Sequence, residues 1–370
     1  MIDIRIQTQA EYTVHIGSGI LNDCGKIMSA LIAPCTVAIV SDTNVAPLYM
    51  QTVKNSLVLA GYKVIEYVFP AGERSKNVQT LAKLWEFFAE SELTRKDAII
   101  ALGGGVVGDV TGFAAATYLR GVPYVQVPTS LLACVDSSVG GKTAVDLAAG
   151  KNLAGAFNQP IAVICDTDTI STLPEENVSD GAAECIKYGV LGNKRILEIF
   201  EGLPEDVNVD ANGVPTSGYA STRPLYEKIK DSLEEIIAES VRMKASFVCR
   251  DEFDTGDRMY LNLGHTIGHA IEYCSNFELS HGHAVAIGMR KIALAGERHG
   301  ITKPGTADRL TSILKKSCLP TECDFDPEQL LSAGLRDKKR SGGKLTLIVP
   351  KNILSCEMRI IPVEEFSDWL

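Results

Sequence analysis

Ala98-Ile99-Ile100-Ala101-Leu102-Gly103-Gly104-Gly105-Val106-Val107-Gly108 is the stretch whose reading decides the fold. An apolar run ends in glycines and leads into a helical stretch, the strand-turn-helix setting in which G-x-G-x-x-G lets backbone amides approach a pyrophosphate at a helix N-terminus. A tight turn with no nucleotide is the competing reading. The acidic residue expected about 20 positions further on is missing, because Tyr124-Val125-Gln126-Val127 runs into Pro128-Thr129-Ser130. A better partner for a ribose is Asp42, with Asn44, at the end of an earlier β-branched run.

Around this stretch, short β-branched runs at 36–40, 63–68, 97–102, 124–127 and 162–165 alternate with turn residues and helical stretches. That alternation predicts a doubly wound parallel sheet, an α/β domain of Rossmann type whose ligands sit at the carboxyl ends of the strands. The N-terminus, Met1-Ile2-Asp3-Ile4-Arg5-Ile6-Gln7, alternates like a half-buried strand and lacks the basic start and apolar core of an export signal. From about Leu173 the pattern changes to long amphipathic stretches at 224–247, 264–273, 283–300 and 305–316, with few strand signals before 344–349. The second half is therefore expected to be mainly helical. Residues 203–223, rich in Pro, Gly, Asn and Ser, read as an exposed loop.

With 370 residues, two domains are expected. Apolar residues at 45% and charged residues at 22% fit a globular chain, and no apolar run reaches the roughly 18 residues of a membrane span. A net charge of −10 argues against a nucleic-acid partner. The ten cysteines contain no C-x-x-C pair and are expected to be reduced, in a cytoplasmic protein.

Four of the six histidines, His265, His269, His281 and His283, lie close together in sequence. His265 and His269 share a helix face, and His281-Gly282-His283 is expected in a loop leading into the next helix. A histidine pair plus a carboxylate is the ligand set of a catalytic divalent site with an open position. Glu184, among Ala182, Ala183, Cys185 and Ile186, is on a face apolar enough that its carboxylate needs a cation. Basic residues beside glycines, as in Gly140-Gly141-Lys142-Thr143 and Gly150-Lys151-Asn152, suit an anionic ligand, as do Arg120, Lys187, Lys244, Arg258 and Lys338-Lys339-Arg340.

Taken together, residues 103–109, 118–121, 128–132, 136–143, 150–152, 184–189, 262–269 and 281–289 resemble the 3-dehydroquinate synthase family of sugar-phosphate cyclases, in the family's order and spacing. The resemblance implies an NAD-binding α/β domain over 1–172, a mainly helical metal- and substrate-binding domain over 173–370, a catalytic zinc or cobalt, and a homodimer. It implies metal ligands Glu184, His265 and His281. For NAD it implies Asp42, Asn44, Glu73, Lys76, Gly104, Gly105, Val106, Asp109, Thr129, Ser130 and Thr172, with Lys142 and Lys151 near either ligand. For substrate it implies Asp136, Lys142, Asn152, Lys187, Lys244, Arg258, Asn262, His269 and one lysine of the pair Lys338 and Lys339, Lys338 being slightly preferred, with Arg120 reaching a neighbouring subunit's site. The substrate implied is 3-deoxy-D-arabino-heptulosonate 7-phosphate. It would be oxidised transiently by NAD, lose phosphate by elimination, be re-reduced, and close by an aldol step without net redox change. Sister cyclases of the deoxy-inosose or valiolone type and a glycerol dehydrogenase-type enzyme are the alternatives. Three features depart from the family pattern: His283 stands where Glu is usual, Asp254 replaces a commoner Glu, and the 203–223 loop is longer.

Overall fold

A computed structural model describes residues 1–204, 224–338 and 343–370. The chain forms two compact units, Met1–Leu173 with Lys244–Phe253, and Pro174–Met243 with Asp254–Leu370.

The first unit is built on strands β1 (Ile2–Gln7), β2 (Glu11–Gly17), β3 (Thr36–Asp42), β4 (Lys63–Phe69), β5 (Ala98–Gly103) and β6 (Tyr124–Pro128), the hairpin β7 (Lys142–Leu147) and β8 (Gly150–Phe157), and β9 (Ala162–Asp166). Seven of these form one sheet in the order β1-β2-β9-β6-β5-β3-β4. All neighbours are parallel except β1, which runs antiparallel to β2 at the edge. All five β-branched runs became parallel strands, as expected. The hairpin and β2 were not anticipated.

Helices α1 (Cys24–Ser29) and α2 (Ala46–Leu59) cover one face, and α3 (Val78–Glu90) and α4 (Gly105–Thr117) cover the other. Successive residues of β3 divide between the two cores: Val37 and Ile39 pack with Met28, Val53 and Leu57, while Ala38 and Val40 pack with Leu84, Phe88, Val107 and Val110. A strand buried on both faces has no polar side to alternate with, which is why these runs read as continuously apolar.

The order of strands places the ligand end. The chain lays β4 outside β3, then returns past β3 to lay β5 on its other side. Ser41 pairs with Leu102 across that reversal, so Asp42 and the glycine turn end adjoining strands at the crevice where such sheets bind ligands.

The second unit contains α5 (Glu175–Leu191), α6 (Lys194–Glu201), α7 (Pro224–Ile229), most of α8 (Leu233–Val248), α9 (His265–Cys274), α10 (His281–Arg298), α11 (Thr306–Lys316), α12 (Pro327–Lys338) and the antiparallel pair β10 (Lys344–Asn352) and β11 (Ser355–Pro362). Two expectations need correcting. The helix expected over 224–247 is broken by a 3-10 turn, Lys230–Ser232. His281 is not in a loop but is the first residue of α10. Glycines let α9 and α10 meet backbone to backbone: a Cβ on Gly288 would lie 2.1 Å from the Gly264 carbonyl oxygen. The loop expected over 203–223 falls almost wholly outside the described residues.

Candidate active site

Three helices of the second unit bring Glu184, His265 and His281 together. Glu184 lies on α5 with no exposed surface. His265 and His281 open α9 and α10. Their Nε2 atoms lie 3.6 and 3.3 Å from Glu184 Oε1. A tetrahedral cation with ligand bonds of about 2.0–2.2 Å needs ligand atoms about 3.4 Å apart, so the donor set fits a divalent metal such as zinc. The outer nitrogens fit as well. His265 Nδ1 is 3.1 Å from the Leu263 carbonyl, which can only accept, so this nitrogen carries the proton and Nε2 keeps its lone pair.

Electrostatics agree. Burial pushes His265 down to about 3, so its imidazole is neutral and able to ligate at any physiological pH. Burial works against the charged form of His281 too, but the hydrogen bonds and charges of Glu184 and Glu272 outweigh it and raise this histidine to about 10. Two carboxylates around one imidazole hold a place for positive charge, which a divalent ion fills better than a proton.

Lys187, one turn beyond Glu184, is also buried; its ammonium contacts Glu184 Oε2 and lies 4.8 Å from the centre of the Tyr188 ring. His269 and Asn262 are exposed, whereas Arg258 is buried. His269 is next to this trio, its ring 5.5 and 6.0 Å from those of His265 and His281. Lys338 closes α12, but its side chain and all of Lys339 lie outside the described residues.

His283 turns away from Glu184, His265 and His281. Its Nε2 is 2.8 Å from Ser179 Oγ on α5, and it is not among the donors that converge with Glu184. Beside it, Asp180 Oδ1 accepts the Gly282 N–H at 2.6 Å, capping the first turn of α10 from another helix. A glutamate at 283 would add a third carboxylate beside Asp180 and Glu176, so a histidine suits this surrounding. Accordingly, His283→Ala is expected to leave bound zinc at one per chain and His281→Ala to lose it. Metal analysis of the two dialysed variants checks this, and a metal-depleted His283→Ala protein would refute the ligand set.

In the first unit, Gly104 caps α4 with no side-chain bond, so the amides of the first turn are not capped by a side chain and suit an anion. Thr129 N–H donates to the Gly103 carbonyl at 3.0 Å. A Cβ on Gly104 or Gly105 would reach 3.4 Å from Ser130 Oγ or 3.3 Å from Ser137 Oγ. Glycine thus keeps a narrow cradle that a side chain would fill, and Val106 follows on the same turn. Gly108 serves packing instead: a Cβ there would lie 2.6 Å from Gln126 Oε1 on β6.

Asp42 Oδ1 accepts the N–H groups of Asn44 and Val45 at 2.8 and 3.0 Å, shaping the β3–α2 loop. Lys76 Nζ is 2.6 Å from Asp109 Oδ2. Burial disfavours both charges. For Lys76 the neighbouring Asp109 and Glu73 outweigh it and hold the ammonium above its ordinary range, while for Asp109 burial wins and the carboxyl sits above the usual carboxylate range. Lys151 Nζ is 3.7 Å from Glu73. Thr172 Oγ1 is 2.7 Å from Tyr49 OH, a partner the sequence did not suggest. Asp136 Oδ1 is 2.5 Å from Lys244 Nζ, which also donates to the Asp136 carbonyl. Lys142 is exposed at the start of β7. Asn152 (φ 56°) and Arg120 (φ 66°) are exposed and adopt left-handed backbone.

Glu272 was missed. It lies on α9 seven residues after His265 and three after His269, a spacing that puts all three on one helix face.

Family models described as 3-dehydroquinate synthase N-terminal and 3-dehydroquinate synthase C-terminal match residues 66–180 and 181–340. A 3-dehydroquinate synthase of Clostridium kluyveri is 41% identical over 371 aligned positions, covering 100% of this chain and 98% of that protein. The chain belongs to the 3-dehydroquinate synthase family. Among solved structures, a 2-deoxy-scyllo-inosose synthase with carbaglucose-6-phosphate, NAD⁺ and Co²⁺ aligns with a TM-score of 0.83 at 24% identity, covering 100% of this chain and 99% of that one. The 2-epi-5-epi-valiolone synthase of Streptomyces hygroscopicus subsp. jinggangensis, with NAD⁺ and Zn²⁺, gives 0.84 at 21%, covering 99% and 97%. These two share the sugar-phosphate cyclase fold. Membership of the 3-dehydroquinate synthase family makes the chain a lyase of the shikimate pathway.

Proposed function

We propose that this chain carries out the 3-dehydroquinate synthase reaction with NAD and a divalent metal, through the residues described above. The observation that carries this reading is the convergence of Glu184, His265 and His281, in a chain 41% identical to such an enzyme over its whole length. When bound, NAD would accept and return a hydride, and zinc or cobalt would polarise the hydroxyl being oxidised.

Glu184, His265 and His281 would hold the metal. The uncapped amides at Gly104, Gly105 and Val106 would receive the NAD pyrophosphate, Asp42 with Asn44 the ribose, and Thr129, Ser130 and Thr172 the rest of the cofactor. Glu73, Lys76 and Asp109 would set the charge near it. Lys76 is spoken for by Asp109, so the pair, rather than a free lysine, would face the ligand.

A heptulosonate phosphate carries a carboxylate and a phosphate, and the candidate substrate set is correspondingly basic. Lys142, Lys187, Lys244, Arg258 and Lys338 are assigned to those anions, with Lys151 near either ligand. Asp136 would orient Lys244, to which it is bonded. Asn152, His269 and the lysines would hold the phosphate while one of its own oxygens takes the proton from the neighbouring carbon and the C–O bond breaks, with Asn262 contacting the rest of the substrate. A simple alcohol dehydrogenase has no use for so many anion-binding groups.

Arg120 is proposed to serve the site of a second subunit in a homodimer, and the protein is proposed to be cytoplasmic. Among the described residues, no helix is long and apolar enough to cross a membrane.

Supplied with NAD and zinc or cobalt, the protein is expected to release inorganic phosphate from 3-deoxy-D-arabino-heptulosonate 7-phosphate with no accumulation of NADH. A phosphate assay run with absorbance at the NADH band checks both halves. NADH accumulating with glycerol, and no phosphate released, would overturn this proposal.

A further inference from the structure

The two histidine ligands differ on their outer sides. His265 turns its Nδ1 to a neutral backbone carbonyl, that of Leu263. His281 turns its Nδ1 to a carboxylate, with Glu272 Oε1 at 3.5 Å, while its Nε2 faces Glu184. Glu272 is only 5% exposed, and a carboxylate at that depth is costly without polar partners. Its backbone is fixed as well: the Glu272 carbonyl accepts Ser275 Oγ at 2.9 Å and the Phe277 N–H at 2.8 Å, where α9 ends. A carboxylate at a metal-ligating imidazole's second nitrogen fixes the tautomer and ring angle and makes the ligating nitrogen a stronger donor.

We propose that Glu272 is a positioning residue of the metal centre, accepting the Nδ1–H of His281 so that Nε2 is presented to the metal. His281 is then the stronger of the two histidine donors. This inference rests on Glu184, His265 and His281 being the metal ligands.

A competing use of the same atoms is a second metal site, because His269, Glu272 and His281 also offer donor atoms within 4.8 Å of one another. That site would require His281 to ligate through both ring nitrogens, which demands loss of its last proton. The single-site arrangement needs no such step.

The test is zinc affinity by competition with a chromophoric chelator, together with the visible spectrum of the cobalt-loaded protein. Both are measured on the full chain and on Glu272→Gln and Glu272→Ala. Loss of this partner is expected to weaken affinity about tenfold in the glutamine variant, which keeps an acceptor, and about 100-fold in the alanine variant. The cobalt bands are expected to shift in both, with far-UV circular dichroism unchanged. Wild-type affinity and bands in a folded Glu272→Ala protein would overturn the inference. So would two zinc ions per wild-type chain with one lost in that variant. His281→Ala, run alongside, separates the two layers: metal retained there overturns the ligand set and this inference with it. Metal lost there but unaffected in Glu272→Ala overturns the inference alone.

Discussion

Glu184→Ala is expected to abolish metal binding and phosphate release and, independently, to lower the stability of the metal-free protein by about 3–5 kcal/mol. The two losses have different origins. The first follows from removing the carboxylate that both histidines face. The second follows from Lys187, whose side chain is 2% exposed and whose ammonium contacts Glu184. Without Glu184 that charge stays in a dry interior with less compensation. Urea unfolding of chelator-treated protein isolates the second loss, because no metal contributes to it. The double variant Glu184→Ala/Lys187→Met is expected to recover most of the stability and none of the metal. If the metal-free Glu184→Ala protein unfolds at the wild-type urea midpoint, Lys187 has another adequate partner and the argument fails.

Gly282→Ala is expected to be nearly as damaging, for steric reasons. Alanine gains up to about 1 kcal/mol over glycine inside a helix, and less in the first turn. Against this, the new Cβ would lie 2.0 Å from the Asp180 carbonyl oxygen. Backbone cannot rotate away as a flexible side chain can, so α5 and α10 must separate, at a cost of roughly 3 kcal/mol or more. Separation also breaks the bond from Gly282 N–H to Asp180 and draws His281 away from Glu184. The expected result is a thermal midpoint lower by several degrees and zinc affinity reduced at least tenfold. A variant with wild-type zinc affinity would show that α10 can shift without disturbing its first residue.

How much of this was legible in the sequence depended on whether a feature has a local signature. The inner strands β3, β5 and β9 were readable because strands buried on both faces are apolar almost without interruption, and the turn after β5 because glycine has few other uses there. The hairpin of β7 and β8 was not, since its residues read as glycine-flanked lysines and β8 is exposed along much of its length. The helix expected over 224–247 shows the limit of periodicity, which continues smoothly through the turn at Lys230–Ser232. Clustering along the sequence narrowed the six histidines to four, and resemblance singled out His265 and His281. What sequence could not supply were partners on other helices: Ser179 for His283, Asp180 for Gly282, and the choice between Glu272 and Glu184 at each nitrogen of His281. Those are facts of packing between α5, α9 and α10.

The proposed ligands on α5, α9 and α10 stand far apart along the chain, and in an unfolded chain they have no reason to meet. A cation that binds all three therefore binds the folded second unit almost exclusively, and its binding free energy adds to that of folding. At a free ion concentration about 1,000 times the dissociation constant, this contribution is roughly 4 kcal/mol. A shift of that size changes the unfolded fraction about a thousandfold, and proteases act on the unfolded fraction. With that ligand set, metal supply would govern how long each copy of the protein survives in the cell, as well as how fast it turns over substrate.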